Sequence, residues 1–356
     1  MLVGAIVRTH IALHCAPRAS QGRRLMMFQN DRTTTASPVT PAMKVHFDEF
    51  GYVVVEGLLD EDTLRAIEDD YAATLDAFVA EQRAAGRLRD AYAGLPFQQR
   101  LIKIIGEGVS WSQHFDISLP QGGIRRDTPI HTTEAMFNVL THPRLLDAVE
   151  AFIGPEILSN PIQHVRIKPP EHVVPTDQRN GMLIRVGWHQ DQGVALPEVD
   201  QTEMLTVWLA ITDATVENGC LCVAPGSHRA GLSPHCPGAG PAGDLQIPSR
   251  FIGNRPIPVP VKRGGALFMH RLTQHASLRN TSDGIRWSFD LRYQPIGQPT
   301  GRPAFPSFVA RSRAHPQMEL RDWRAWAQLW ADARERLAEC ELAPFNRWSK
   351  DNQACA

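Results

Sequence analysis

The sequence is short of net charge, of long apolar runs and of paired cysteines, and each shortage closes off a class of function. The 37 Lys and Arg against 38 Asp and Glu leave a formal net charge of −1, so nothing draws the chain electrostatically to nucleic acid or to an anionic membrane. No apolar run approaches the roughly 18–20 residues that cross a bilayer. Six cysteines (Cys15, Cys220, Cys222, Cys236, Cys340, Cys355) form no CxxC pair and no recognisable disulfide framework, which reads as a reducing, cytoplasmic setting. Cys220 and Cys222 alternate in a strand-like run, as small buried hydrophobes do. No internal repeat is visible, and no feature sets an oligomeric state. What remains, 43% hydrophobic and 21% charged residues over 356 positions, is an ordinary globular chain able to bury a sizeable core.

Residues 1–42 differ in texture from the rest. They carry Arg8, Arg18, Arg23, Arg24 and Arg32 against the single acid Asp31, then a Thr/Ser/Pro cluster. A transit peptide shares this composition. The plainer reading is a disordered extension, or a start codon placed too early, with Met26, Met27 or Met43 as the alternative beginning. The folded part, residues 43–356, is read as one domain. Phe50 to Val55 reads as a strand after a short helix end. Asp60 is an N-cap followed by acids, and Leu64, Ile67, Tyr71, Leu75 and Phe78 recur at helical spacing to about Ala85. A second helix is expected over Arg144–Phe152. From about Pro161 short strands and turns take over: Gln163–Lys168, Leu205–Thr212, Cys220–Val223, Val259–Val261, Ala266–Met269 and Arg286–Tyr293. Many short strands at such intervals mean a sandwich or barrel. The Pro/Gly-rich stretch Ser233–Pro258 is long enough for a rim loop or lid. Trp323, Trp326 and Trp330 fall on one face of a closing helix, a packing pattern.

The chemistry centres on Trp188-His189-Gln190-Asp191. On a strand, His189 and Asp191 at i and i+2 project to one side, with Gln190 opposite. An imidazole and a carboxylate are two-thirds of the 2-His-1-carboxylate triad that holds non-haem iron(II) and leaves positions open. The second histidine comes from His228, His235, His270 or His275. His275 is the best candidate because of what surrounds it; His228 sits at a turn, and His270 would face the opposite side of a continuous strand. Gln274 to Ser277 reads as a strand, Asn280 to Gly284 as a turn, and Arg286 as the start of the next strand. Such a hairpin would set Arg286 and Ser277 beside His275. Arginine can clamp a carboxylate in bidentate fashion, as a 2-oxo acid co-substrate requires. Arg292 shares the face of Arg286 but lies about 20 Å further along the strand, so Arg286 is the expected clamp.

With these pieces assembled, the chain resembles the phytanoyl-CoA dioxygenase family of iron(II)/2-oxoglutarate oxygenases. The matching residues are Ile167-Lys168-Pro169-Pro170, Trp188-His189-Gln190-Asp191, Trp208, Asn218-Gly219-Cys220-Leu221, Pro225-Gly226-Ser227-His228, and His275-Ala276-Ser277 with Asn280 and Arg286. They span roughly residues 46–295. The resemblance implies a mostly β fold, a double-stranded β-helix (jelly roll) braced by N- and C-terminal helices. It implies that His189, Asp191 and His275 bind Fe(II) and that Arg286 holds the distal carboxylate of 2-oxoglutarate. It also implies that Ser277, Trp208, Gln190 and His164 line the co-substrate pocket; for Gln190 this conflicts with its expected outward direction. With O2, such an enzyme hydroxylates an unactivated C–H bond of a small molecule (a secondary metabolite, amino-acid derivative or acyl thioester) and releases succinate and CO2. Halogenating relatives lack the carboxylate, so Asp191 points to hydroxylation. Gly265 stands where the family commonly has Asp, and the loop from Ser233 to Pro258 has no counterpart. A His2Asp zinc hydrolase or a non-catalytic jelly-roll binding protein are the competing classes.

Overall fold

Most α-helices precede most strands along the chain, with a strand between the first two α-helices and an α-helix after the last strand. The computed structural model describes residues 37–179, 183–237, 245–253, 255–340, 347–349 and 353–355. Thr40 caps α1 (Pro41–Phe50) through a capping box with Met43, and Gly51 ends it at φ 78°. That left-handed turn suits glycine, and it hands Phe50 to the helix, so the strand expected from Phe50 begins two residues later as β1 (Tyr52–Val55). The Asp60 side chain accepts from the Thr63 N–H at 2.8 Å and starts α2 (Glu61–Ala84). Three further helices follow: α3 (Phe97–Gly106), α4 (Glu134–Leu140) and α5 (Pro143–Ile153). Then come the strands β2 (Glu156–Ser159), β3 (His164–Lys168), β4 (Leu205–Ala210) and β5 (Leu221–Val223). The short β6 (Cys236–Pro237) and β7 (Leu245–Gln246) pair with each other. The remaining strands are β8 (Ile257–Val259), β9 (Ala266–His270), β10 (His275–Ser277), β11 (Arg286–Pro295) and β12 (Phe308–Ser312), and α6 (Trp323–Leu337) follows them.

The strands form a jelly roll of two facing antiparallel sheets. The larger sheet runs β1-β9-β4-β11-β2-β12, with β3 also paired to β11, and the smaller runs β10-β5-β8. The ten-residue β11 is the spine. One edge pairs with β4 and the other is shared by β3 and β2. Its side chains sort by parity, as a pleat requires. Trp287, Phe289, Leu291 and Tyr293 belong to the core beneath the helices, with Tyr71, Phe115, Leu140 and Trp326. Burying each large apolar side chain of this kind contributes about 1.5–3 kcal/mol. Arg286, Asp290 and Arg292 point the other way, into a cavity between the sheets. Trp208, Leu267, Met269, Leu221 and Val223 pack the rest of that inter-sheet space.

Three expectations are corrected here. His275–Ser277 and Arg286 are not a hairpin: β10 pairs with β5 in the small sheet, while β11 lies in the large one. The turn chemistry of residues 280–284 carries the chain from one sheet to the other. The strand expected at Val259–Val261 ends at Val259, and Val261 keeps only an isolated bridge to Ala214. Cys236 and Cys355 are joined in a disulfide across 119 residues of sequence, which no short-range spacing could announce. The cysteine-based support for a reducing compartment goes with it. Residues 37–356 cluster into one compact unit. The extension expected over residues 1–42 lies, up to residue 36, outside the described residues, and α1 starts at Pro41. No helix among the described residues is long and apolar enough to cross a membrane.

Candidate active site

Two histidines and one aspartate meet where the small sheet is extended by an isolated bridge. His189 and His275 exchange both backbone N–H···O bonds, each at 2.9 Å, and the Ser277 N–H continues the pairing to the Val186 carbonyl. Their rings lie side by side with centroids 4.2 Å apart. Each imidazole donates from Nδ1 to a carbonyl two residues earlier, Gly187 at 2.9 Å and Thr273 at 3.0 Å. Both Nε2 atoms are thereby left to ligate, the usual arrangement for a metal-binding histidine. Asp191 opens a 3-10 turn rather than continuing a strand, and that turn swings its carboxylate to the histidines. Donor atoms of His189, Asp191 and His275 all lie within 4.8 Å of one another.

The electrostatics suit a cation held by neutral imidazoles and an ionised carboxylate. Burial, with His275 alongside, pushes His189 down to about 3 against the opposing pull of Asp191. Burial pushes the Asp191 carboxyl up, but Arg292 and both imidazoles outweigh it and hold the group below its ordinary range. A single buried carboxylate with two imidazoles and open space in front is the donor set of non-haem iron(II).

The cavity beyond holds about 310 Å³ and is lined from both sheets. His164 and Arg166 come from β3, Thr206 and Trp208 from β4, Arg286, Asp290 and Arg292 from β11, and Ala276 and Ser277 from β10. Arg286 is 2% exposed. Its guanidinium lies 5.1 Å from the Trp208 ring centroid and donates to Ser288 Oγ at 2.6 Å. Its Nε has no hydrogen-bond partner, and burial brings it down to about 10. A desolvated cation bonded to one neutral hydroxyl is costly unless an anion arrives. The cavity gives a carboxylate access to it. The Arg286 environment therefore fits the distal carboxylate of 2-oxoglutarate.

Residues 47–288 match the phytanoyl-CoA dioxygenase family. The chain belongs to that family. Its enzymes are non-haem iron(II)/2-oxoglutarate oxygenases, and membership makes this chain one of them, with iron and 2-oxoglutarate as its cofactors. Among relatives, phytanoyl-CoA dioxygenase domain-containing protein 1 of Bos taurus is 27% identical over 272 residues, covering 70% of this chain and 88% of that protein. Peroxisomal phytanoyl-CoA dioxygenase of Bos taurus is 30% identical over a shorter stretch, 45% of this chain and 46% of that one. The non-haem monooxygenase ThoJ, solved without ligand, superposes with a TM-score of 0.51 at 21% identity, covering 83% of this chain and 96% of its own. That likeness bears on the fold.

Against this family pattern the structure gathers most of the expected residues and moves one out. His189, His275, Ser277, Trp208, His164 and Arg286 all line the cavity. Gln190 does not. It is fully buried on the far side of the motif, donating to the Gly231 and Leu272 carbonyls at 2.9 and 2.7 Å and accepting from the Ser233 N–H at 2.7 Å. The alternation that aims His189 inward aims Gln190 outward, so its place is in ordering the 231–233 loop. His164 is anchored by Asp116 at 2.9 Å, and burial lowers its basicity despite that neighbour. His270 takes the Leu272 N–H on Nδ1 at 3.1 Å and packs on His228. His235 accepts the Gln190 N–H on Nε2 at 2.9 Å; neither histidine joins the metal cluster.

Sequence reasoning passed over Thr206, and it set Arg292 aside as too distant. Both contact Asp191. It also quoted Lys168 without a role. Lys168 stands opposite Arg286 in the ladder and bridges the sheets, donating to Ser277 Oγ at 2.7 Å and to the Leu278 and Ile184 carbonyls at 2.5 and 3.2 Å. Burial, with Arg286 and Arg166 nearby, pushes it down to about 6.

Proposed function

We propose that this oxygenase hydroxylates an unactivated C–H bond of a small organic molecule. The reading rests on one observation: His189 and His275, their donor atoms within 4.8 Å of the Asp191 carboxylate, line a cavity whose opposite sheet presents the buried Arg286. Bound iron(II), 2-oxoglutarate and O2 together supply an oxidant for such a bond, with succinate and CO2 as co-products. The chain's own work is positioning. His189, Asp191 and His275 hold the metal from one side, and Arg286 takes the far carboxylate of the co-substrate in a charge-assisted contact. Trp208, whose ring lies 5.1 Å from the Arg286 guanidinium, and Ser277, held by Lys168, would line the space that carboxylate enters. Walls of Leu221, Met269, Val194 and Ile162 exclude water from the reacting face.

The presence of Asp191 favours hydroxylation over halogenation, since no gap is left for chloride beside the two imidazoles. A zinc hydrolase would use the same three ligands but has no use for a buried guanidinium across the cavity. The test is an anaerobic titration with iron(II) and 2-oxoglutarate, which should develop a weak visible charge-transfer band, followed by oxygen and a succinate assay. His189→Ala should abolish succinate release and Arg286→Ala should strongly reduce it at limiting 2-oxoglutarate; wild-type release in both would rule the assignment out.

A further inference from the structure

Asp191 is the metal-binding residue whose own backbone does least to aim it. The two histidines are fixed by strand pairing, whereas Asp191 sits at the start of a 3-10 turn. What holds its carboxylate comes from the opposite sheet. Arg292 Nη2 donates to Oδ1, and Thr206 Oγ1 donates to Oδ2. Arg292 and Thr206 are direct cross-strand partners in the β11–β4 ladder. They therefore form one rigid two-pronged clamp. The second arm of Arg292 is itself fixed, Nη1 donating to the Ile162 carbonyl at 2.9 Å, and its backbone carbonyl accepts the Asn160 N–H at 2.9 Å. All three side chains are shut off from solvent, at 7% exposure for Arg292 and 2% each for Thr206 and Asp191.

We propose that Arg292 and Thr206 are positioning residues that restrict Asp191 to a one-oxygen grip on the metal. The inference rests on the iron reading above and extends it to two cavity-lining residues that bond to the Asp191 carboxylate. Oδ1 is the oxygen that lies 3.8 Å from His189 Nε2, and Oδ2 is drawn away to the Thr206 hydroxyl. A carboxylate free to rotate could present both oxygens, taking a position that a chelating 2-oxo acid or oxygen needs. Hydrogen bonds to ligating carboxylates orient them in this way, and their loss typically weakens metal binding about 10–100-fold. The Arg292 guanidinium also offsets the carboxylate charge, which keeps the metal site attractive to a dianionic co-substrate.

The experiment is an anaerobic iron(II) titration of the full chain, then 2-oxoglutarate at saturating iron, for wild type, Thr206→Val, Thr206→Ser and Arg292→Lys. Thr206→Val keeps the side-chain shape and removes the donor, and the melting midpoint of the metal-free variant monitors its folding. Thr206→Val should weaken iron(II) binding about 10–100-fold and shift the visible charge-transfer band, while Thr206→Ser restores both. Arg292→Lys, a point charge without the planar fork, should fall between. Wild-type iron affinity and band position in Thr206→Val would overturn the clamp, as would equal losses in Val and Ser. If Arg292→Lys weakens only 2-oxoglutarate binding, Arg292 is a co-substrate anchor instead and the clamp is wrong. Absence of iron binding in the wild type would strike at the oxygenase reading, a failure distinct from the others.

Discussion

His189 and His275 are bonded to each other through their backbones in both directions, at 2.9 Å each way. Eighty-six residues apart in sequence, they hold two imidazole rings 4.2 Å apart by the spacing of neighbouring strands. This pair of rings is thus as rigid as the small sheet, and of the three clustered side chains only the carboxylate depends on a turn.

That rigidity makes the co-substrate end separable from the metal end. Replacing Arg286 by Met should raise the dissociation constant for 2-oxoglutarate about 10–150-fold, the loss of a charge-assisted hydrogen bond of about 1.5–3 kcal/mol. Lys at the same position should recover part of it. Iron(II) affinity should stay within about 3-fold of wild type, since Arg286 is not hydrogen-bonded to any of the three ligands. Anaerobic titration of iron first and co-substrate second reads both, and unchanged 2-oxoglutarate binding in the Met variant would remove Arg286 from the site.

Gln190 should behave in the opposite way. Gln190→Ala removes the side-chain partner of the half-buried Gly231 and Leu272 carbonyls and Ser233 N–H, at about 1–3 kcal/mol in all, since water can reach some of these groups. Denaturant unfolding of the metal-free protein should show that loss, while 2-oxoglutarate affinity at saturating iron stays within about 3-fold of wild type. A large rise in the 2-oxoglutarate constant with unchanged stability would return Gln190 to the pocket.

Gly193 tests how closely the Asp191 turn is packed. A Cβ there would run into the His235 ring, and His235 accepts the Gln190 N–H next to Asp191. Its ring also stacks on Trp348 at 5.2 Å. Gly193→Ala should cost about 1–3 kcal/mol in urea unfolding, the range for overpacking a filled site, and weaken iron(II) binding as the turn shifts. Wild-type stability would show that the turn relaxes freely.

Acid should weaken the metal-free fold. Burial lowers His270 from 6.5 to about 4, with Arg271 and His228 adding to the effect, and His235 is likewise brought to about 4, chiefly by burial. Between those values the unfolded chain binds protons that the folded chain refuses, so the stability these two groups contribute is lost as pH drops from about 6.5 to about 4. For His270 the cause is visible: Nδ1 accepts the Leu272 N–H, which a protonated ring cannot do. The melting midpoint in metal-free buffer should fall across that window, and His270→Gln should flatten part of the slope. A midpoint independent of pH there would contradict the buried neutral histidines.

How much of this was legible beforehand divides along physical lines. The N-cap at Asp60, the helical spacing of Leu64 to Phe78 and the parity of Trp287 to Tyr293 are local, set by one residue's reach, and they read directly from the chain. The clustering of His189, Asp191 and His275 was foreshadowed by motif spacing, and so was the choice of Arg286, whose role belongs to the proposed function. The helices over residues 97–106 and 134–140 lacked so clean a pattern. The Cys236–Cys355 bond, formed over 119 residues, left no local trace.

The sequence alone determined which side chains could serve as ligands, the buried faces and the class of reagent, since side-chain chemistry, periodicity and family motifs belong to short stretches. Only the tertiary structure decided that β10 and β11 lie in different sheets. A turn signal says that the chain reverses, and says nothing of which strand it then joins. That sheet assignment sets Arg286 across the cavity from His275 rather than beside it. It also brings Arg292, apparently too far along its strand, onto the Asp191 carboxylate, because the 3-10 turn carries Asp191 to the opposite sheet.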